Sequence, residues 1–359
     1  MSYMKRCDKC CMPSTRPDHV FVDGVCPACI NRDKEYLLGT DALVELLDRH
    51  NGEVIVPSSG GKDSTYQVLR LLELGAHVTI VTATTCHLTP IGRANIDNLA
   101  RYANTIEISP NKTVRAKLNK YGMEWVGDIS WPEHVAIFST PFRVARDIGV
   151  KLIMYGENPQ NQYGGPEGTG NTAQMTERWV TEFGGFLGMR PSDMIGVDGI
   201  TKRDMEIYEP VWTPGVEAHF LGQYEHWDSI GNGKRARAAG MLQGGEQPYP
   251  SPANWWRAEN WDNAQTGIHD HFMYRKYGYG RGATQIAVDV RNGTVTRDQA
   301  LRWIHQHDGL FPSVYAGVEC GVVLDRIGVK WEDFLHQMEL HTNWDLFDGV
   351  KDLRPLLKC

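Results

Sequence analysis

The chain has 359 residues, 41% of them hydrophobic, and no long polar low-complexity tract, so it carries enough apolar material for one large domain or two rather than a disordered chain. Its formal net charge of -7 comes without a basic stripe, which argues against nucleic-acid binding, and no run of about 18 apolar residues marks a membrane span. The first residues lack the apolar segment of a secretory signal, so a cytoplasmic protein is expected.

Residues 1–38 are rich in Cys, Pro, Asp and Arg and show no helical period. Cys7-Asp8-Lys9-Cys10 and Cys26-Pro27-Ala28-Cys29 form two CxxC pairs separated by fifteen residues. In a reducing compartment that spacing points to Zn2+ more than to disulfides. Four thiolates about 2.3 Å from one zinc ion close its coordination sphere, which makes the site structural: it holds together a segment too short to bury a core. Cys11 adjoins the second ligand, but Cys7 with Cys10 keeps the knuckle spacing. Free thiols or an iron–sulfur cluster would use the same four residues.

Residues 39–165 alternate short β-branched runs with amphipathic segments. Strands are predicted at 54–56, 78–81, 105–108 and 152–155, and a helix over 63–74 that stops at Gly75. That alternation predicts an α/β fold with a doubly wound parallel sheet. Between the first strand and the first of these helices lies Ser58-Ser59-Gly60-Gly61-Lys62-Asp63-Ser64. A glycine-rich turn opening a helix lets backbone N–H groups face an anion, with hydroxyls from Ser59 and Ser64 and a point charge from Lys62. It is not a Walker A loop, because the required spacing before Gly-Lys-Ser/Thr is missing. Glu157 and Asn158 follow the strand at 152–155, at the sheet edge where open α/β folds bind ligands, and are candidates to contact substrate or steer a nucleophile.

Residues 166–359 follow a glycine-rich loop, Gly164 to Gly170, and carry most of the tryptophans. Helices are clearest at 297–305 and 331–340, so a mostly helical region is expected, packed on the sheet domain and shaping a substrate pocket. Glu133-His134 and His269-Asp270 are weaker candidates for proton transfer. Lys234 to Arg237 reads as a solvated basic face, and Cys86, Cys320 and Cys359 read as small buried or surface residues rather than nucleophiles.

The Ser-Gly-Gly-Lys-Asp-Ser loop resembles that of the PP-loop ATP-pyrophosphatase superfamily. Over nearly its whole length the chain also resembles the N-acetyl sugar amidotransferases of bacterial surface-glycan (lipopolysaccharide) biosynthesis. That likeness is carried by Cys7-x-x-Cys10 through Pro17, Leu88 to Arg93, Ser109-Pro110-Asn111, Gly127-Asp128 and Trp131 to His134. It continues in Tyr155 to Gln160, Thr266 to Asp270, Gly278 to Arg281 and Arg291 to Arg297. Gly156-Glu157-Asn158-Pro159-Gln160 and Gly267-Ile268-His269-Asp270 are the more specific segments. Cys11 and the Trp- and Pro-rich stretch 244–261 depart from the pattern and bear on the substrate more than on the reaction.

The resemblance implies a ligase that uses ATP and Mg2+ to adenylate the acetamido oxygen of an N-acetylated, nucleotide-linked sugar. Ammonia then replaces that oxygen to give an acetamidino group, with release of pyrophosphate and AMP. Ser58 to Ser64 would bind ATP, with Lys62, Asp63, Glu157 and Asn158 catalytic. Asp63 would orient the metal's waters or simply favour the helix start. No glutaminase domain is visible, so a separate glutaminase partner would supply ammonia. A tRNA thiolase also joins CxxC knuckles to such a loop. It needs a basic surface and a reactive cysteine near the loop, and only Cys86 is near. A nucleotide-sensing scaffold would not need the intact Lys62 and Ser64.

Overall fold

The computed structural model describes residues 4–17, 19–33, 37–164, 174–244 and 249–347. The glycine-rich stretch from Gly165 to Gly170 and Cys359 lie outside them. A sheet is built from β1 (Glu53–Pro57), β2 (His77–Ala83), β3 (Asn104–Ile108), β4 (Leu152–Tyr155), β5 (Gln174–Met175) and β6 (Glu217–Phe220). Its order is β3-β2-β1-β4-β6-β5, and only β5 runs antiparallel. The first helices are α1 (Pro27–Asp33), α2 (Thr40–Arg49), α3 (Lys62–Glu73), α4 (Pro90–Leu99), α5 (Lys112–Val126), α6 (Trp131–Ile148) and α7 (Pro159–Tyr163).

The sheet is covered on both faces because successive side chains of β1 point to opposite sides. Val54 and Val56 join Leu43, Leu46 and Leu47 of α2 and Val68 and Leu71 of α3 in one core. Ile55 joins Phe142, Val144 and Ala145 of α6 in the other. Each such Val, Leu, Ile or Phe side chain, withdrawn from water, contributes roughly 1.5–3 kcal/mol before entropy is charged against it. These strands and the doubly wound arrangement agree with the sequence expectation.

Local chemistry sets the helix ends. Asn111 caps α5 by accepting from the N–H groups of Thr113 and Val114, and Gly127 ends the helix in the left-handed region. Pro141, inside α6, cannot supply the N–H that would bond the carbonyl of Ile137. The hydroxyl of Tyr155, at the end of β4, donates to that carbonyl at 3.1 Å. A strand residue thus satisfies the acceptor that the proline orphans.

Beyond residue 174 come α8 (Glu177–Phe183), α9 (Lys202–Met205) and α10 (Ser229–Ala238), with α10 packed on α3. Lys234 and Arg237 of α10 are exposed, as the basic-face reading expects, while Ala236 is buried. Then come α11 (Thr266–Tyr277), α12 (Arg281–Arg291), α13 (Arg297–His307), the hairpin β7 (Val314–Tyr315) and β8 (Val318–Glu319), α14 (Cys320–Arg326) and α15 (Trp331–Leu340). This part is largely helical but also gives β5 and β6 to the main sheet. The cysteine segment packs on it: Cys7, Cys10, Cys26 and Cys29 share a core with Ala283, Ile286 and Ala287 of α12 and Ala300 and Ile304 of α13. No helix among the described residues is long and apolar enough to cross a membrane.

Candidate functional site

From β1 the chain steps to β2 and β3 on one side, then crosses to β4 on the other. The loops leaving β1 and β4 therefore part from one another, and a crevice opens at the carboxyl end of the sheet. Both sequence-predicted loops lie there. Ser58 to Ser64, Glu157, Thr85 after β2, and residues from α6, α11 and α12 line one cavity of about 520 Å³.

The turn after β1 is tightly constrained. Gly60 has φ +79°, and a Cβ there would stand 2.7 Å from the backbone nitrogen of Ile96, so glycine is required twice over. The Ser58 hydroxyl accepts from the Gly60 N–H at 3.0 Å and donates to Ser64 Oγ at 2.8 Å, which fixes the loop's shape. No side chain caps α3 at Gly61, which leaves the first-turn amides and the positive end of the helix facing the cavity.

Lys62 is almost fully buried and yet charged. Burial alone would lower its pKa, but Asp63, to which its amine donates, and Glu259 at 3.5 Å outweigh that and raise it. The amine also lies 5.0 Å from the centre of the Trp256 ring. Asn232 of α10 donates to the other oxygen of Asp63 at 3.1 Å. Glu259 further meets Arg281 at 3.4 Å, and Arg281 in turn pairs with Asp270 at 2.8 Å. The Trp-rich stretch that the sequence marks as unusual thus forms one wall of the cavity lined by the 58–64 loop, through Glu259 and Asn260, with Trp256 against Lys62.

Glu157 lines the cavity, and its carboxyl is pushed up to about 7 by burial, with the negative charge of Asp63 adding to it. Asn158 has a different position. Its side chain is buried and caps α7, accepting from the Gln160 N–H at 3.0 Å, and it is absent from the cavity lining.

Two of the proton-transfer candidates, His134 and His269, meet at a third residue. Asp128, in the turn between α5 and α6, accepts from Nδ1 of His134 on one oxygen and from Nδ1 of His269 on the other, at 2.8 Å each. The Ser130 N–H donates to Asp128 Oδ1 at 2.8 Å. Burial would raise the carboxyl, but the two imidazoles hold it well below the usual carboxylate range. Glu133 also lines the cavity, but its oxygens are committed: it accepts from the Cys86 N–H and from the amides of Asn119 and Gln265. With its oxygens so engaged and its carboxyl raised by burial, it braces α6 against α5 and α11.

The four cysteine sulfurs predicted as ligands lie within 4.8 Å of one another. Cys7 and Cys29 are 3.8 Å apart, and Cys10 and Cys26 3.5 Å. Tetrahedral zinc with bonds of about 2.3 Å needs sulfur–sulfur separations of about 3.8 Å, whereas a disulfide needs about 2 Å. Hydrogen bonding from Cys10 drives the Cys7 thiol far below the usual range, and the same crowding drives Cys29 above it. Four buried sulfurs at this spacing form a candidate metal site, and the donor set fits zinc. Cys11 stands outside the group with φ +67°, its thiol pushed up to about 12 by burial. From this segment Arg16 reaches the cavity, 5.6 Å from the centre of the Tyr163 ring, and His19 meets the Tyr163 carbonyl at 2.7 Å.

Residues 253–355 match the family model described as LPS biosynthesis protein WbpG-like, C-terminal domain. No curated protein matches the chain. The matched segment supplies Glu259, Asp262, His269 and Arg281, so the cavity is shared between it and the sheet. Sequence reasoning missed Asp128, Glu259 and Arg281 as site residues. Asp128 and Arg281 lie within the motifs quoted for the family likeness, while Glu259 carries no local signal.

Proposed function

We propose that the chain is an ATP-dependent amidotransferase that activates the acetamido oxygen of an N-acetylated sugar as an adenylate and replaces it with ammonia. One observation carries the reading: a glycine-constrained anion loop with a buried lysine stands at the sheet's switch point and opens into a cavity large enough for reacting groups from two substrates. The WbpG-like match of residues 253–355 supports a role in LPS biosynthesis and therefore a sugar substrate.

In this reading the amides at the start of α3, with Ser59, Ser64 and Lys62, hold the pyrophosphate of ATP and take up the charge that grows on it as the α-phosphorus is attacked. Asp63, Glu157 and Glu259 gather around Lys62. Three carboxylates beside a polyphosphate repel it, so a divalent cation such as Mg2+, held by Asp63 with these neighbours, would supply the missing positive charge. Protonation of Glu157 near neutral pH lowers the same repulsion. The amide oxygen of the sugar attacks the α-phosphorus, pyrophosphate leaves, ammonia adds to the activated carbon, and AMP departs.

The test is turnover by the purified chain with ATP, Mg2+, ammonium chloride and a panel of UDP-linked N-acetylhexosamines. The expected products are AMP, pyrophosphate and a sugar in which NH replaces O, identified by mass. ADP and phosphate as products, or AMP release that needs tRNA and leaves sulfur in place of oxygen, would reject it.

A further inference from the structure

His134 and His269 come from different helices, α6 and α11, and each is the fourth residue of its helix. Their rings meet edge to face with centroids 4.8 Å apart, both leaning on the two oxygens of a single buried carboxylate. A pair that merely tied α6 to α11 would have no need of solvent. Yet these side chains retain 30% and 21% exposure, and both line the same cavity as Lys62. Because Asp128 takes the proton-bearing Nδ1 of each ring, the lone pair of each neutral imidazole is left on Nε2. Nε2 of His134 has no hydrogen-bond partner among the described residues. That of His269 has only Asp270, at 4.0 Å.

We infer that the His134–Asp128–His269 cluster is the base that takes the proton from the nitrogen nucleophile as it captures the activated sugar. This rests on the amidotransferase reading above. The lone pair of ammonia forms the new C–N bond, and the C=N π electrons move onto the sugar nitrogen, which keeps its hydrogen. The added nitrogen is then a cationic –NH3+ and a better leaving group than AMP. Transfer of one proton from it to Nε2 of a histidine reverses that order. The C–O bond to AMP breaks, AMP keeps the electron pair, and the product is the amidinium. The imidazolium passes its proton to solvent, so one proton leaves for each ammonia consumed.

Asp128 is a positioning residue in this step, since it fixes both tautomers and steadies the imidazolium. The other charged groups acting on the cluster are Glu133 and Arg281 at His134, Asp270 at His269, and Lys276 at Asp128. Asp128 outweighs burial at His134 and raises its affinity for a proton, the direction a base requires.

The two half-reactions separate this inference from the reading beneath it. In wild type, exchange of labelled pyrophosphate into ATP, with the UDP-linked N-acetylhexosamine that supports it and no ammonium, reports adenylation; if no sugar supports exchange, the amidotransferase reading fails first. The His134→Gln/His269→Gln double variant should keep that exchange and lose amidine formation from ammonium by about 100-fold or more, within the usual range for a general base. Hydroxylamine, whose added nitrogen is acidic enough to give its proton to water, should restore most of the rate. Loss of exchange together with amination, amination at the wild-type rate, or no rescue by hydroxylamine would overturn the assignment. So would a metal ion beyond the zinc equivalent in wild type that the double variant lacks, which would make the cluster a metal site.

Discussion

The amine of Lys62, in the first turn of α3, stands 3.5 Å from a carboxylate oxygen of Glu259, in the segment that matches the LPS biosynthesis family. In the proposed reading Lys62 serves phosphate, and it is held in place by a carboxylate distant in sequence. Lys62→Met should retain most of the buried stem beside Trp256 and abolish AMP formation. Glu259→Gln releases the amine from one partner, so it should lower kcat more than it raises KM for ATP if Glu259 also helps hold the cation, and leave kcat unchanged if it only packs. Steady-state AMP release measures both, and full activity in Lys62→Met would remove the loop from the mechanism.

The bond from Tyr155 to Ile137 makes a prediction about stability alone. Tyr155→Phe keeps the ring stacked against Phe138, at 5.7 Å between centroids, and removes only the hydroxyl. The carbonyl freed by Pro141 is then left without its donor, at a cost of about 1 kcal/mol, or up to about 3 if no water reaches it. Urea denaturation should show a lower midpoint at unchanged slope; a midpoint equal to wild type would mean that the helix closes over the gap unaided.

Glu157 has a pKa pushed up to about 7 from an ordinary 4.5 by burial first and Asp63 second. The fold therefore favours its uncharged form. The associated stability is fully present below about 4.5 and is lost as pH rises toward about 7. In the nucleotide-free protein, the melting temperature of wild type should fall relative to Glu157→Gln across that window and run parallel to it above. Parallel curves throughout would show that Glu157 ionises as an exposed carboxylate does.

The sheet and its loop were legible because their signals are local: β-branched runs for β1 and β2, two glycines before Lys62, and a stop at Gly75. β6 was not, since Glu217-Ala218-His219-Phe220 contains no β-branched residue and forms a strand only because β4 offers an unpaired edge. The four cysteines were legible from spacing alone. The charged surroundings of Lys62 were not, because Glu259 and Arg281 reach it through tertiary packing that no local pattern encodes. Asn158 carries two local signals at once: a polar residue past a strand reads as a ligand contact, and Asn before Pro is equally an N-cap, which its side chain forms on α7.

The cysteine cluster, a candidate zinc site, is tied to the cavity. Cys10 accepts from Arg291 at 3.3 Å, while Arg297 donates to the Cys7 carbonyl at 3.0 Å, so the segment is clamped to α12 and α13. Its Arg16 and His19 then brace Tyr163. Elemental analysis should find one zinc in wild type and none in Cys26→Ser, with a lower melting temperature in the variant. Full zinc content in that variant would exclude the ligand set.

The last prediction concerns the source of nitrogen. Hydrolysis of glutamine requires an activated thiolate or its equivalent. Cys86, just after β2, is a poor candidate: burial, with Glu133 beside it, pushes its thiol up to about 11. Cys320 is buried among Phe272, Leu324 and Phe334 in an apolar core and is as poorly placed. The purified chain should therefore turn over with ammonium chloride and fail with glutamine until a separate glutaminase is added. Because the reacting species is NH3, the rate at fixed total ammonium should climb as pH rises toward the ammonium pKa. Efficient use of glutamine by the chain alone would refute the dependence on a partner, and a rate independent of pH would show that ammonium itself is bound and deprotonated on the protein.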